Sequence, residues 1–309
     1  MPSNKQIIEK AALTLSDLSA GGLMNPTQAS TFIRMLQDSP TILKACRTIP
    51  MDHDTAKIEK IGFGQRILRP GIENTPLSDS DRSKPKFSKI ELNAKEVIAE
   101  INITYDTLEN NIEGANLKET IMQLIAERAA LDIEELIING DKGSSDNYLK
   151  LINGLRKQAT THIVDAASGV VTKDIFKNAK KILPSKYLRN PSDFRFYTSQ
   201  NIATEWMDVV ASRATALGDT ALQGGKASAY GIPVEGIAML QSYDNGSSVD
   251  VSDALLTHPQ NIVTGISRRM SIEVDKDIRS RLFIIVLTMK LDTVFEEEDA
   301  VVKITKIKE

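Results

Sequence analysis

The chain has 309 residues, of which 41% are hydrophobic and 26% carry a charge. These fractions match those of an ordinary globular protein and exclude a collagen-like or coiled-coil fibre and a largely disordered chain. The 38 basic and 41 acidic residues give a formal charge of −3, too close to neutral for a protein that condenses nucleic acid. The single cysteine, Cys46, excludes an intramolecular disulfide and a metal centre with several cysteine ligands.

Neither a secretion signal nor a membrane span is predicted. Residues 1–10 lack the apolar stretch of a signal peptide. The longest apolar run, 282–289, is far shorter than the roughly 20 residues that cross a bilayer. We therefore expect a protein that is made in a reducing cytoplasm and makes no contact with a membrane.

The first forty residues predict two short amphipathic helices. Apolar residues recur at helical spacing over 4–20, and a second segment, 25–39, begins with proline at the first helical position. A short helix with one apolar stripe must bury that stripe against another element to remain helical. That element is either the chain's own domain or a neighbouring molecule.

Residues 55–104 predict a long two-stranded ribbon. Residues 55–68 and 90–103 alternate like β-strands, with a change of phase at Lys95, and 69–87 are rich in proline, glycine, serine and charge. At ~3.3 Å per residue the first strand would reach about 45 Å, nearly the width of a compact chain of this length. Such a ribbon is marginal alone, so we expect it to complete its burial on a neighbouring molecule. A mobile surface excursion or an active-site lid is the alternative.

Residues 115–139 predict the strongest helix. Its apolar residues recur at steps of three and four, and Asn139-Gly140 predicts a left-handed C-terminal stop. At 1.5 Å per residue the helix would be about 37 Å long, which suits a structural beam. The predicted core residues of this helix are Leu117, Ile121, Leu124, Ile125, Ile133 and Leu136. The region 99–146 holds 3 basic and 11 acidic residues, a net charge of −8, and is the acidic part of the chain.

The rest of the chain alternates between helix and strand. Helices are predicted at 172–189 and 199–211, and strands at 194–198, 231–240, 253–257, 262–274, 281–294 and 300–307. Residues 212–230 are small and glycine-rich, as in a loop. The fold class is therefore α+β.

No catalytic, cofactor or metal site is predicted. The three histidines lie about a hundred residues apart and form no HExxH pair. The glycine-rich stretch 218–227 is not a phosphate-binding loop, because Thr220 replaces its first glycine and Ala227 replaces its hydroxyl residue. No Gly-x-Ser-x-Gly elbow is present, and the acidic run 296–299 is typical of a solvated turn.

The order of these elements resembles a known family. The likeness is carried by LIAERAALDIEELIINGD at 124–141, LINGL at 151–155, AYGIPVEGIAML at 229–240 and NIVTGISRRMSIEVDKD at 261–277. In sequence, order and spacing, the chain resembles the major capsid proteins of tailed bacteriophages, which have the Hong Kong 97 fold.

The resemblance implies a division of the chain. Residues 1–48 would form an N-terminal arm and 49–98 an extended β-hairpin loop that lies over an adjacent subunit. Residues 99–145 and 268–309 would form a peripheral domain around the spine helix. Residues 146–267 would form an α/β axial domain, with 218–227 and the turn at Asn245 among its loops.

The resemblance also implies a function. Copies of the chain, as hexamers and pentamers, would assemble in the cytoplasm of the host bacterium into an icosahedral virion shell around double-stranded DNA, without sequence specificity. A portal and possible decoration proteins would be further partners. A separate scaffolding protein is expected, because only some fifty residues precede the ribbon. The lysine and asparagine that crosslink some relatives are not assigned in this sequence.

Charge suggests where the extended loop would make its contact. The basic residues near the ribbon tip, taken as inter-subunit contacts, are Arg66, Arg69, Arg82, Lys84 and Lys86. The acidic spine region of a neighbour is their expected counterpart, and solvated tip charges are the alternative. Two other functions stay open: an encapsulin-like bacterial nanocompartment, and a soluble enzyme with the ribbon as a lid.

Overall fold

Two β-sheets and a separate β-hairpin account for most of the regular structure. The computed structural model describes residues 12–13, 42–63, 66–71, 76, 78, 80, 82, 84–109, 117–212, 227–246 and 248–309. Within these residues the fold is mixed α+β, as predicted. None of the helices they form is long and apolar enough to cross a membrane.

Six α-helices accompany the strands in the described residues. They are α1 (Ile42–Ala45), α2 (Tyr105–Glu109), α3 (Leu117–Asn139), α4 (Leu155–Gln158), α5 (Lys173–Ile182) and α6 (Gln200–Ala211). Helix α3 is the predicted spine helix, and the first two residues of its predicted range lie outside the described residues. Helix α5 ends seven residues earlier than predicted, because Pro184 restricts Leu183 to an extended conformation.

The first sheet has five strands and packs against the spine helix. In spatial order its strands are β1 (Ala12–Leu13), β5 (Lys95–Thr104), β13 (Leu282–Phe295), β12 (Ile262–Asp277) and β2 (Arg47–Pro50). The three central strands are antiparallel, whereas β1 and β2 pair in parallel at the two edges. Alternate residues of β5 and β13 face the helix, so Ile103, Ile285 and Leu287 form an apolar cluster with Ile125 of α3.

The second sheet has seven strands and carries α5 and α6. Its strands are β6 (Ile163–Asp165), β14 (Val302–Lys308), β11 (Asp250–Thr257), β7 (Arg195–Ser199), β9 (Ile232–Ile237) and β8 (Ser228–Ala229), with β10 (Tyr243–Asp244) beside β11. The aromatic rings of Phe176, Phe196 and Trp206 meet in its core at centroid distances of 4.7 to 4.9 Å. These edge-to-face contacts fix both helices against the sheet.

The hairpin consists of β3 (Thr55–Gly62) and β4 (Lys86–Asn93), which pair with each other and with no other strand that the structure describes. Eight residues at ~3.3 Å each make it about 26 Å long, shorter than the expected ribbon. The predicted second strand of the ribbon is in fact two strands. The change of phase at Lys95 marks the end of β4, which pairs with β3, and the start of β5, which pairs with β13.

The end of the spine helix lies at the junction of the two sheets. Ile133, Leu136 and Ile137 of α3 share one buried cluster with Leu255 of β11 and Leu291 of β13. This cluster joins the two sheets through the helix. The second half of the spine helix therefore fixes how the two sheets are placed.

Two glycines let the backbone after the spine helix cross itself closely. A Cβ atom on Gly140 would lie 2.6 Å from the carbonyl oxygen of Leu136 and 2.8 Å from that of Ile152. A Cβ atom on Gly154 would lie 2.6 Å from the amide nitrogen of Gly140. The left-handed stop predicted at Gly140 is wrong, since its φ is not positive. Close backbone approach is the reason for glycine here.

Two other predictions need correction. Residues 12–13 were expected within a helix over 4–20, but they form β1, paired with Asn102 and Ile103 of β5. The other residues of 4–20 and the second predicted helix, 25–39, lie outside the described residues. Residues 302–308 were expected in the peripheral domain, but as β14 they pair with β11 and β6 in the second sheet. Alternation predicts a strand without identifying the strand's partner.

We expect Gly154→Ala to destabilise the subunit by about 2–4 kcal/mol, because its Cβ atom would meet three backbone atoms within 2.8 Å. Gly62→Ala is the matched control, since no atom lies within 4 Å of the position that a Cβ atom would take there. Urea unfolding of both variants measures the difference. Equal free energies of unfolding for the two would contradict the close approach.

Candidate assembly surface of the β3–β4 hairpin

The two faces of the hairpin differ in chemistry. Alternation turns Ala56 and Ile58 towards the body of the protein, where they pack against the small cluster around Met51 and Leu92. On the outer face, lysines and glutamates form two cross-strand ion pairs. They are Lys57–Glu91 at 3.0 Å and Lys89–Glu59 at 3.2 Å. Because these side chains are more than half exposed, each pair contributes only about 0–1 kcal/mol.

Large apolar side chains are exposed at the far end of the hairpin. Ile61 and Phe87 lie opposite each other in the strand register and are 68% and 66% exposed. Three further apolar residues follow β3 and are also at least half exposed. We call the set the tip patch: Ile61, Phe63, Ile67, Leu68 and Phe87. A group of exposed large apolar residues of this kind marks an interaction surface.

Charged contacts hold the hairpin beside the turn that follows β13. The Lys60 ammonium group donates to the Glu296 carbonyl oxygen and to Oε2 of Glu297, the latter at 3.0 Å. Arg47 Nη1 donates to Oε2 of Glu296 at 2.7 Å. The acidic run 296–299, predicted as a solvated turn, therefore anchors the hairpin. A groove of about 770 Å³ lies between the hairpin and the acidic run 296–299, with Tyr187 on its wall.

The root of the hairpin is fixed to the first sheet. Asp54 accepts hydrogen bonds from Lys290 at 2.9 Å and from Ser267 at 3.0 Å, and these bonds lower the pKa of its carboxyl group. In the same sheet, Gly265 of β12 lies against Met51 and Leu92. A Cβ atom on Gly265 would come within 2.5 Å of the Met51 sulfur. The hairpin therefore projects from a firmly packed base.

The predicted basic contact residues lie on the tip side of the hairpin. Arg66, Arg69, Arg82 and Lys84 are exposed. Lys86 begins β4, and its side chain lies outside the described residues.

The predicted spine-helix core is buried unevenly. Ile125, Ile133 and Leu136 are buried, at 8%, 3% and 1% exposure, whereas Ile121 and Leu124 are half-buried. The side chain of Leu117 lies outside the described residues. Packing is therefore tightest in the half of the helix near the second sheet.

One acidic residue of the spine helix has an internal role that periodicity missed. Glu134 is 3% exposed, and its Oε1 accepts a hydrogen bond from the backbone amide of Ile42 at the start of α1. This hydrogen bond therefore connects α1, which follows the N-terminal segment, to the spine helix. Among the acids of the helix whose side chains the structure describes, this leaves Glu127, Asp132 and Glu135 exposed or half-exposed.

A polar network around the buried carboxylate of Asp253, at the junction of the sheets, was also missed. Arg156 Nη2 and Nε lie 3.0 and 3.2 Å from Oδ2 of Asp253, and its Nη1 donates to Asn139 Oδ1 at 2.9 Å. The Tyr243 hydroxyl donates to Asp253 Oδ1 at 2.8 Å. Burial and this acceptor raise the pKa of Tyr243 to about 12. Four separate segments are thereby connected around one carboxylate.

Metal chemistry finds no support in the part of the chain that the structure describes. No group of three histidine, cysteine or acidic residues is close enough there to hold an ion. The geometry instead offers contact surfaces, of which the hairpin is the most prominent.

Comparison with known proteins identifies the architecture. The model of the phage capsid family matches residues 20–306. The chain belongs to the phage capsid family. A Bacillus subtilis (strain 168) protein, YqbE, named as a prophage capsid protein, is 63% identical over 309 residues, which are 99% of each chain. The predicted family and a capsid function are therefore confirmed.

Solved structures show the same fold at low identity. The capsid of a native GTA particle has a TM-score of 0.68 and 14% identity, covering 95% of this chain and 100% of that one. A chain from a structure of Mycobacterium phage Che8 has a TM-score of 0.59 and 12% identity, covering 93% of this chain and 98% of that one. The SrpI encapsulin of Synechococcus elongatus PCC 7942 has a TM-score of 0.60 and 13% identity, covering 96% of this chain and 97% of that one. The predicted phage capsid fold is thus confirmed.

We expect Arg156→Met to destabilise this capsid protein by about 3–5 kcal/mol, because it leaves the Asp253 carboxylate buried at 8% exposure without its cation. The double variant Arg156→Met/Asp253→Asn is expected to recover part of this loss. Urea unfolding of the single and double variants forms a double-mutant cycle. Strictly additive losses would show that the two side chains do not interact.

Proposed function

We propose that this capsid protein is the major subunit of an icosahedral head shell that encloses the double-stranded DNA genome of a tailed bacteriophage. Its copies would be arranged as hexamers and pentamers. The observation that carries the proposal is the tip patch, a set of five large apolar side chains left exposed by a single subunit. A second copy of the chain supplies the surface that covers it.

The magnitude of apolar burial fits repeated assembly. Burying a large apolar side chain contributes about 1.5–3 kcal/mol, so five give on the order of 10 kcal/mol before the costs of association are subtracted. A single contact of that size is weak to moderate. In a closed shell every subunit makes several such contacts at once, and dissociation requires all of them to break together.

The charges favour one orientation of the extended loop. Arg66, Arg69, Arg82 and Lys84 are exposed on the tip side, and Glu127, Asp132 and Glu135 are accessible on the spine helix. Burial and the neighbouring Asp132 carboxylate raise the pKa of Glu135, a group that a basic neighbour would help to ionise. Complementary charges of this kind set register more than affinity.

The proposed domains follow the strand pairing. Residues 1–48 would form the N-terminal arm and the β3–β4 hairpin the core of the extended loop. The spine helix with the first sheet would form the peripheral domain. The second sheet, now including β14, would form the axial domain, whose loops would surround the centres of hexamers and pentamers.

Further partners belong to the same proposal. A separate scaffolding protein, a portal and possible decoration proteins would join the shell during assembly in the bacterial cytoplasm. The formal charge of −3 suits a shell that holds packed DNA without binding it tightly or by sequence. Family membership favours this structural role over that of a soluble enzyme with a lid.

Replacing Ile61 and Phe87 by serine is expected to leave the subunit folded but to prevent closed particles. Both side chains are exposed in the subunit, and the proposal places them against a neighbouring copy in the shell. Negative-stain electron microscopy counts the particles, and circular dichroism reports the fold. Particle yield should fall at least tenfold.

The matched control lies on the same face of the same hairpin. Lys57→Gln/Glu91→Gln removes an exposed ion pair that contributes little, so this variant should assemble like the natural protein. Normal particles from the serine variant would overturn the role of the tip patch. Failure of both variants would point instead to a general loss of the hairpin.

An encapsulin-like compartment is the second candidate, because the fold is shared with an encapsulin at a TM-score of 0.60. Particles purified from the native host distinguish the two functions. We expect nuclease-protected double-stranded DNA inside them. A stoichiometric cargo enzyme without DNA would establish the compartment instead.

A further inference from the structure

Two neighbouring helices of the second sheet carry opposite charge. Helix α5 holds four lysines and one acidic residue, Asp174, whereas α6 holds two acidic residues, Glu205 and Asp208, and no lysine or arginine. The ring of Phe176 in α5 lies 4.7 Å from the ring of Trp206 in α6, so the two helices are in direct contact. One subunit therefore presents a basic helix beside an acidic one.

The lysines of α5 form a basic surface on the side of the helix that is turned away from the sheet. Lys173 and Lys181 are exposed and lie about 12 Å apart along the helix axis. Lys177, between them, forms an ion pair with Asp174 inside the helix. A hydrogen bond from Lys177 lowers the pKa of the Asp174 carboxyl group, and the positive charges of Lys173 and Lys181 lower it further. The surface around this carboxylate is therefore basic.

The acidic residues of α6 are also turned outwards. Glu205 and Asp208 are exposed and three residues apart, so they lie on one side of the helix, while Ile202, Ala203 and Trp206 are buried against the sheet. The structure describes every residue of α5 and α6, and no ion pair joins one of these helices to the other. Both sets of charges therefore face outwards from the subunit.

We propose that α5 of one copy packs beside α6 of the next copy, with Lys173 and Lys181 facing Glu205 and Asp208. The inference rests on the proposed function, because it supplies a contact by which copies form pentamers and hexamers. A ring requires two different and complementary surfaces on one subunit, since each copy turns one surface to each of its neighbours. The basic and the acidic helix meet this requirement.

The charges favour a second copy over nucleic acid as the partner of α5. Phosphate groups that approach α5 would also approach the exposed carboxylates of α6 beside it and would be repelled by them. The acidic helix of another copy pairs with α5 while its own basic helix remains available for a further neighbour. Charges of this kind determine which surfaces meet and in which orientation, more than they determine affinity.

A zero-length crosslinker tests the contact in particles of the natural protein. A carbodiimide activates a carboxylate, a lysine amine displaces the activating group as a urea, and an amide bond remains after the net loss of water. Peptide mass spectrometry should find Lys173 or Lys181 joined to Glu205 or Asp208. A denaturing gel should show a ladder up to pentamers and hexamers, because each copy is linked to two neighbours. Links that stop at dimers, stay within one chain or join these lysines to other carboxylates would overturn the head-to-tail contact.

Charge reversal tests whether the two helices recognise each other. Lys173→Glu/Lys181→Glu and Glu205→Lys/Asp208→Lys should each lower the particle yield about tenfold or more, because each variant opposes like charges at the contact. The variant that combines all four changes restores opposite charges and should recover most of the yield. Negative-stain electron microscopy counts the particles, and circular dichroism reports the fold of each variant. A combined variant that folds but does not recover would overturn the pairing.

The matched control reverses two lysines elsewhere. Lys142 and Lys150 are exposed and belong to neither helix, so Lys142→Glu/Lys150→Glu makes the same change in net charge and should assemble like the natural protein. Loss of particles in this control as well would assign the effect to net charge and overturn the pairing.

The outcomes separate this contact from the proposed function. If the natural protein forms no closed particles under any condition, the proposed function fails. Normal particles from both reversed pairs would overturn only the contact between α5 and α6. A normal yield of particles that contain no DNA after reversal of α5 would assign that helix to nucleic acid and likewise overturn the contact.

Discussion

The spine helix and the turn after it determine where both sheets lie. Ile133, Leu136 and Ile137 pack into the junction from the helix side, and Gly140 and Gly154 bring two backbone segments within van der Waals contact just beyond it. The amide of Gly154 donates to the carbonyl of Gly140 at 2.7 Å, so this crossing is also hydrogen-bonded. Because close-packed interiors transmit small displacements, a shift of the backbone at this crossing would move the hairpin and the second sheet together.

Periodicity predicted the spine helix and most of the long strands, but it left the partners of the strands undetermined. The end of the spine helix at Asn139 was predicted correctly. Strand β14 also alternates clearly, yet its pairing with β11 depends on side chains more than forty residues away in sequence. The same limit applies to 90–103, where the change of phase at Lys95 was visible but its meaning, a change of sheet, was not.

The sequence pointed to the hairpin tip as the candidate assembly surface, but it did not show which kind of side chain dominates there. Sequence analysis located the hairpin tip by its proline, glycine and basic residues, whereas the structure gives prominence to its exposed apolar side chains. Ile61 and Phe87 are 26 residues apart, and only the strand register shows that they are neighbours. Likewise, a glutamate in a helix is read as a surface charge, and nothing local shows that Glu134 is buried against α1. Long-range contacts of this kind leave no periodic signal.

The two candidate contact surfaces of the subunit differ in what a neighbour must supply. The charges of α5 and α6 are solvated in the single subunit, so pairing them sets orientation more than affinity. The tip patch lacks apolar area, and a surface large enough to cover five side chains requires another folded body.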